Sequence, residues 1–188
     1  MQDRAQRTRE RILDAAAEEF AAHGPDSTTL QAVADRVGMT KGAVYGHFTS
    51  KQAVAAALEA HGALTLSALH PDPTAPDPVD TLRRLVAGLG AQLQSDIRLR
   101  AALRLRASGP APHPATALSD LLRHTSRTVQ AAQDNGTVAS THPPHLIAGC
   151  LLTLACAGAG ADAPEELRPR PSDTGQVTDI ALTLLDAR

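Results

Sequence analysis

The amino-acid sequence predicts an all-α fold of about nine helices. Apolar residues recur at spacings of three and four along the chain, and no stretch alternates apolar and polar residues as a half-buried strand would. Apolar residues make up 43% of the 188 residues, enough to fill a core, but only three of them are aromatic. A core made mainly of Leu, Ala, Val and Ile favours closely packed helices.

The first predicted helix runs from Gln6 to His23. Its apolar side chains share one face, at Ile12, Leu13, Ala16, Ala17 and Phe20. Gly24 and Pro25 are residues that end a helix, so the chain is expected to turn there. A basic arm leads into this helix, with arginines at Arg4, Arg7, Arg9 and Arg11. Such an arm can lie along a nucleic-acid backbone, and the alternative is a frayed, solvated terminus.

Two short helices are predicted next. Thr28 and Gln31 have the spacing of a capping box, so a helix is expected from about Thr29 to Val37. Gly38 supplies the left-handed residue that ends it. Thr40 is then a good N-cap, and it predicts a second short helix from position 41 to about position 47.

Two short helices joined by a glycine turn predict a DNA-binding helix-turn-helix, whose second helix would enter the major groove. We expect contacts from the polar side chains of this segment, from the helix N-termini beside it and from the basic arm. The expected DNA-contacting residues are Arg4, Arg7, Thr28, Thr29, Thr40, Lys41, Gly42, Tyr45, His47 and Lys51. Plain structure is the alternative reading of such a helix pair.

The remaining chain predicts longer helices separated by proline-rich breaks. A helix from about Ser50 to about Leu69 follows a second capping box at Thr49 and Gln52. Later helices are expected over 78–95 after Asp77, over 97–107 after Asp96, over 115–135, from near 143, and across 177–185. Arginines alternate with leucines over 97–107, which indicates a solvated face or partners for acidic effectors, with DNA contact as the weaker alternative.

The domain organisation follows from these elements. We expect a three-helix DNA-binding domain over residues 1–52 and a helical domain for effector binding and dimerisation over 53–188. The last two helices carry more apolar surface than one small domain covers, so they predict a two-fold dimer through a four-helix bundle. The expected interface residues are Leu146, Ile147, Cys150, Leu151, Leu154, Val177, Ile180, Ala181, Leu184 and Leu185. Alternatively, these helices close the core of a monomer.

The segment Thr28 to Lys51 resembles the signature of the TetR family of transcriptional regulators, notably in TKGAVYGHF over 40–48. A closer resemblance, to the γ-butyrolactone autoregulator receptors of actinomycetes, is carried by 4–9, 12–18, 40–45, 47–51 and 97–105. Those receptors carry a tryptophan that lines the lactone pocket, and this chain has none.

The resemblance implies a dimeric repressor that binds a palindromic double-stranded operator and is released by a small-molecule effector, either γ-butyrolactone-type or antibiotic-like. Candidate pocket residues are Leu99, Leu103, Leu122, Thr125 and Val129, for which ordinary core packing is the alternative. A pocket without aromatic side chains would be aliphatic, with few polar anchors. The alternatives to an effector-released repressor are an orphan DNA-binding regulator without effector, and an activator.

Other classes of protein are disfavoured. No phosphate loop, nucleophile elbow or metal-ligand spacing appears, so neither an enzyme nor a cofactor or metal is expected. The longest apolar stretch is too short to span a bilayer and no signal segment is evident, so a cytoplasmic location is predicted. Cys150 and Cys156 are expected to be buried thiols. Residues 1–55 hold seven basic and seven acidic side chains, so DNA binding must depend on their placement.

Overall fold

The computed structural model describes residues 2–72, 75–107, 116–161, 163–164, 167, 171–173 and 175–177. Within these residues it contains eight α-helices of five or more residues, a 3-10 helix at Pro171–Asp173 and α-helical residues at 175–177, which confirms the all-α prediction. The helices are α1 (Gln2–Ser27), α2 (Leu30–Val37), α3 (Lys41–Tyr45), α4 (Lys51–Ala68), α5 (Pro78–Ser95), α6 (Ile97–Ala107), α7 (Ala117–Asp134) and α8 (Pro144–Gly158). The predicted last helix lies outside the described residues except near Val177.

The chain forms two compact units. The first, the head unit, comprises Met1–Thr65 and Leu93–Ala111, and the second, the body unit, comprises Leu66–Gln92 and Pro112–Arg188. The head unit therefore includes α6 and most of α4 together with the helix-turn-helix, although the sequence indicated a functional boundary after residue 52. That functional boundary stays a prediction.

The core of the head unit is built around two of the three aromatic side chains, Phe20 and Phe48. The predicted apolar face of α1 is buried in this core, as the spacing of its residues indicates. The other helices of the unit contribute aliphatic side chains, including Leu30, Val33, Val44, Val54, Leu58 and Leu105. The short helices α2 and α3 are therefore held by side chains from α1, α4 and α6.

The end of α1 differs in detail from the prediction. Gly24 leaves the helical conformation, with φ 74°, and one more turn follows it to Ser27. The expected capping box at Thr28 is wrong because Thr28 is buried and its hydroxyl donates to the Gly24 carbonyl at 2.7 Å. Thr29 caps α2 instead, its Oγ1 accepting from Ala32 N at 3.1 Å.

The other helix starts show which caps the sequence located correctly. Asp77 and Asp96 accept from the first turns of α5 and α6, as predicted. The second capping box is wrong, because Ser50 rather than Thr49 accepts from Ala53 N, at 3.1 Å. Ser is a somewhat better cap than Thr, in line with the choice of Ser50.

Helices α4 and α6 cross at very short range. A Cβ atom placed on Gly62 of α4 would lie 2.6 Å from Ala102 Cβ of α6, closer than real Cβ atoms approach. Next to this crossing, His61 Nε2 donates to Asp96 Oδ2 at 2.7 Å. Although burial opposes the charged carboxylate, the hydrogen bond from His61 holds the pKa of Asp96 below its ordinary value. Gly62 therefore sets how closely α6 packs on α4.

We predict that Gly62→Ala lowers the free energy of unfolding by about 1–3 kcal/mol, because the added methyl forces α4 and α6 apart. Gly90→Ala is the matched control, since a Cβ there meets no atom within 4 Å. In the interior of α5 this change should stabilise by about 0.5–1 kcal/mol. Urea unfolding measures the change in the free energy of unfolding for each variant. Stabilisation by Gly62→Ala would contradict the close approach of α4 and α6 at Gly62.

In the body unit, Val129 of α7 and Ala148 of α8 form a buried cluster with Leu82 of α5. Leu118, Leu121, Thr125 and Val129 of α7 are all buried, as their helical spacing indicates. On α8 the side chain of Leu154 is 55% exposed, while Leu152 is fully buried. One face of α8 is thus left uncovered by the described part of the chain.

The cysteines form no disulfide. Cys156 is buried, and burial raises the pKa of its thiol to about 11, whereas Cys150 is only partly buried. Cys156 is thus the buried thiol that was predicted, whereas Cys150 is buried only in part. As for membrane insertion, none of the described helices has the length and hydropathy that crossing a bilayer requires.

Candidate nucleic-acid interface

Helix α3 is a short, exposed helix whose inner face packs on the head core. Its N-cap is Thr40, whose Oγ1 accepts from Ala43 N at 3.2 Å, as predicted. Val44 and the following Phe48 are buried in the head core and hold the helix in place. The helix ends at Tyr45, two residues earlier than expected, and His47 is half-buried in the turn that follows.

The outer face of α3 presents an aromatic and a cationic side chain together. Tyr45 is 45% exposed, and the Nζ atom of Lys41 lies 5.9 Å from the centre of its ring, within the range of a cation–π contact. Gly42 lies between them, and a Cβ atom there would meet nothing within 4 Å. The backbone at Gly42 is therefore open to a partner that approaches α3 closely.

The turn between α2 and α3 has a defined geometry. Gly38 adopts a left-handed conformation, with φ 71°, and its N–H donates to the Asp35 carbonyl at 3.2 Å. The next N–H, of Met39, donates to the Ala34 carbonyl at 2.9 Å. These bonds fix the direction in which α3 leaves α2, as the glycine predicted. Thr29 is exposed at the other end of α2, where backbone N–H groups suit a phosphate.

Two residues expected to contact DNA, Thr28 and Lys51, instead donate hydrogen bonds to backbone carbonyls of the chain. Thr28 is buried, and its hydroxyl is used by Gly24, so its side chain does not reach the surface. Lys51 is half-buried, and its Nζ donates to the Pro25 carbonyl at 2.6 Å and to the Thr28 carbonyl at 3.0 Å. Lys51 therefore ties the start of α4 to the end of α1. Its spacing in the sequence could not show this, because the carbonyls lie more than twenty residues away.

The basic arm is helical from Gln2 onward, and its arginines divide into two pairs. Arg9 lies over the Phe48 ring, 4.7 Å from its centre, and Arg11 donates to the Val37 carbonyl at 3.3 Å. These two fix α1 to the helix-turn-helix. Arg4 and Arg7 are exposed, and Arg7 forms an ion pair with Asp3 one turn earlier.

A pair of acidic residues on α1 binds Arg36 of α2. Arg36 Nη2 lies 2.6 Å from Glu19 Oε1, and Nη1 lies 2.8 Å from Glu18 Oε2. Glu19 is only 7% exposed, so its charge depends on this partner. The hydrogen bonds that Arg36 donates to Glu19 and Glu18 raise the pKa of Arg36 above its ordinary value.

A second acidic pair on α1 binds Arg98 of α6. Arg98 donates to Asp14 Oδ1 at 2.7 Å, to Glu10 Oε2 at 2.5 Å and to the Glu10 carbonyl at 3.1 Å. Burial opposes its charge, but the hydrogen bonds to Asp14 and Glu10 outweigh that effect and raise the pKa of Arg98. The sequence-based expectation of a solvated face or an effector partner is therefore wrong for Arg98, which fastens α6 to α1.

These pairings single out a small set of unengaged cations. In residues 2–55, Arg9, Arg11, Arg36 and Lys51 are used by groups within the head unit. The side chains of Arg4 and Lys41 have no hydrogen bond or ion pair to any described residue. The positive charge that is available to a partner therefore lies at the start of α1 and the start of α3.

We predict that Arg98→Met lowers the free energy of unfolding by about 1–2 kcal/mol, because Glu10 and Asp14 lose their charged donor. Arg83→Met is the control: Arg83 is exposed and pairs only with Asp80 three residues earlier, so its loss should cost less than about 0.5 kcal/mol. Chemical denaturation measures both. Equal losses of unfolding free energy in the two variants would show that the ion pairs of Arg98 stabilise the fold no more than the exposed pair of Arg83 with Asp80 does.

Burial distinguishes four of the five predicted effector-lining residues from the fifth. Leu99 and Leu103 are buried in the head unit, and Thr125 and Val129 are buried in the body unit. Leu122 is partly buried and borders a groove, described below. Four of the five are thus core side chains, which was the alternative reading. Among the described residues, no group of three or more His, Cys, Asp or Glu side chains is placed to hold a metal ion.

The chain was compared with known proteins. Residues 12–58 match the family model described as bacterial regulatory proteins, tetR family. The A-factor receptor protein of Streptomyces griseus is 32% identical over 144 residues, which cover 73% of this chain and 48% of that protein. The chain spans less than half the length of the curated relatives it matches.

Solved structures match over nearly the whole chain. A gamma-butyrolactone receptor (ArpA-like protein) is 26% identical and superposes with a TM-score of 0.69, covering 98% of this chain and 99% of that one. CprB from Streptomyces coelicolor, in complex with its biological operator sequence, is 27% identical with a TM-score of 0.70, covering 97% and 89%. The resemblance to γ-butyrolactone receptors is thereby confirmed.

Proposed function

Because the chain belongs to the TetR family of bacterial regulatory proteins, we propose that it is a homodimeric transcriptional repressor that binds a palindromic DNA operator through α3. One observation carries the DNA-binding part: Tyr45, the most exposed aromatic side chain of the described residues, lies beside Lys41 on a helix anchored by buried residues. A rigidly held tyrosine and lysine on a protruding helix suit a base edge and a phosphate. That CprB is solved with its operator supports the same use of this fold.

The proposed binding mode places the N-terminus of α3 in the major groove. Lys41 meets a phosphate or a guanine edge, Gly42 lets the backbone approach, and Tyr45 contacts a base or sugar. Thr29 and the first turn of α2 face the phosphates of one strand, and Arg4 reaches the flanking backbone. In this binding mode Thr28 and Lys51 do not touch DNA, because their side chains donate hydrogen bonds to backbone carbonyls of residues 24–28.

We predict that Lys41→Ala combined with Tyr45→Ala weakens operator binding by at least about a hundredfold, because a base contact and a phosphate contact are both lost. The operator is first selected from random duplexes with the wild-type protein, and binding is then measured by gel shift. Arg84→Ala, which removes an exposed arginine of α5, should leave the affinity unchanged.

Unchanged affinity of the double variant would remove α3 from the interface. Circular dichroism of each variant confirms that the helices are intact. Both altered side chains are exposed, so neither substitution should disturb the core.

The proposed dimer uses the uncovered face of α8. Ile147 and Leu151 are partly exposed there, and Leu154 projects furthest into solvent. Leu146, also expected at the interface, is buried within its own chain and is not available to a partner. The other predicted interface residues on the last helix, Ile180, Ala181, Leu184 and Leu185, lie outside the described residues. A two-fold axis at α8 would present two α3 helices to a palindrome.

We predict that Leu154→Arg shifts the protein from dimer to monomer, because it would bury an unpaired charge at the interface. Leu64→Arg is the matched control: Leu64 of α4 is an even more exposed leucine, at 74%, and lies in the head unit. Analytical ultracentrifugation distinguishes the two. A dimer that survives Leu154→Arg would place the interface elsewhere.

The proposed signal is a small molecule that releases the operator. Structures of similar fold include a gamma-butyrolactone receptor and a SmeT–triclosan complex. The present chain has no tryptophan, and four of its predicted pocket residues are packed core. That packing favours a second candidate, a regulator whose body unit only dimerises, unless an effector binds outside the core.

A further inference from the structure

The body unit carries a surface groove that the core packing does not use. One wall is a single face of α7, and the other is the first turn of α8 at Pro144 and His145. Its volume is about 570 Å³, within the range of small-molecule sites. Leu122 forms part of its floor and packs on the Val129–Ala148 cluster, so the groove has a fixed apolar base.

The charge of this groove has one sign. Arg123 and Arg127 are one helical turn apart on the same face of α7, and His145 faces them from α8. Among the described residues no carboxylate lines the groove. Such a lining favours a ligand that carries a negative charge.

The polar groups differ in how free they are to bind a ligand. Ser126 donates its hydroxyl proton to the Leu122 carbonyl, and Gln130 donates to Asp134. Arg123 uses one nitrogen for Asp120, at 2.6 Å, and so is held in place with other N–H groups to spare. The side chain of Arg127 makes no ion pair or hydrogen bond within the described part of the chain. Arg127 is therefore the principal donor available to an anion.

We propose that this groove binds an aliphatic organic anion, with its carboxylate or phosphate headgroup at Arg127 and Arg123 and its alkyl part on Leu122 and Pro144. Two guanidinium groups match the geometry of either headgroup. The groove has no Phe, Tyr or Trp side chain, so an alkyl part fits it better than an aromatic ring. The binding itself follows from the groove, whereas its role as the effector site rests on the proposed function.

The test uses isothermal titration calorimetry on the full chain with octanoate, octyl phosphate and 1-octanol. We expect octanoate or octyl phosphate to bind, with the tighter of the two identifying the headgroup, and 1-octanol to bind at least about tenfold more weakly. Arg127→Gln should weaken anion binding by about tenfold. Arg84→Gln, an exposed arginine of α5 outside the groove, should leave it unchanged.

Two results would overturn the site: no binding of either anion, or equal binding by the wild type and Arg127→Gln. The Lys41→Ala, Tyr45→Ala variant should still bind the anion, so failure of the groove and failure of the DNA interface are told apart. For the effector role, the bound anion should lower operator affinity of the wild type and not of Arg127→Gln. If the operator affinity of the wild type does not change when the anion is bound, the groove is not the effector site.

Discussion

Pairing of the carboxylates of α1 with two arginines is the constraint on which the head unit depends. Arg36 of α2 holds Glu18 and Glu19, and Arg98 of α6 holds Glu10 and Asp14. The pair with Arg36 joins consecutive helices and the pair with Arg98 joins helices 84 or more residues apart, so together they fix α1 against both the helix-turn-helix and α6. Without Arg36, the buried carboxylate of Glu19 would lose its arginine partner.

This internal pairing explains how residues 1–55, which hold equal numbers of basic and acidic side chains, can serve as a DNA-binding surface. Most cations of this segment hold the fold together, whereas the side chains of Arg4 and Lys41, which are unengaged among the described residues, lie where the proposed DNA would be. Nonspecific affinity for DNA grows with the number of phosphates that a protein neutralises. A head with few free cations should therefore rely on the placement of α3, and that placement depends in turn on Phe48, Val44 and the arginine pairs.

Local signals in the sequence predicted the helices, and tertiary contacts account for what they missed. The caps Thr40, Asp77 and Asp96 act within three residues of themselves, so their roles could be predicted from spacing. Lys51 and Arg98 act across 23 and 84 or more residues, and no periodicity encodes such partners. Thr28 and Thr29 are equivalent as caps in sequence, and only the burial of Thr28 separates them. The groove on α7 was missed because its arginines are typical of any solvated helix face.

Sequence-specific DNA binding by residues 1–55, a segment without net charge, is the central claim, and a specificity ratio tests it most directly. The dissociation constants for a selected operator and for a scrambled duplex of equal length and composition are measured at the same salt, about 150 mM. Placement of α3 predicts a ratio of about a thousandfold or more. A ratio below about tenfold would contradict the account, because it would mean that the head unit binds DNA through charge alone.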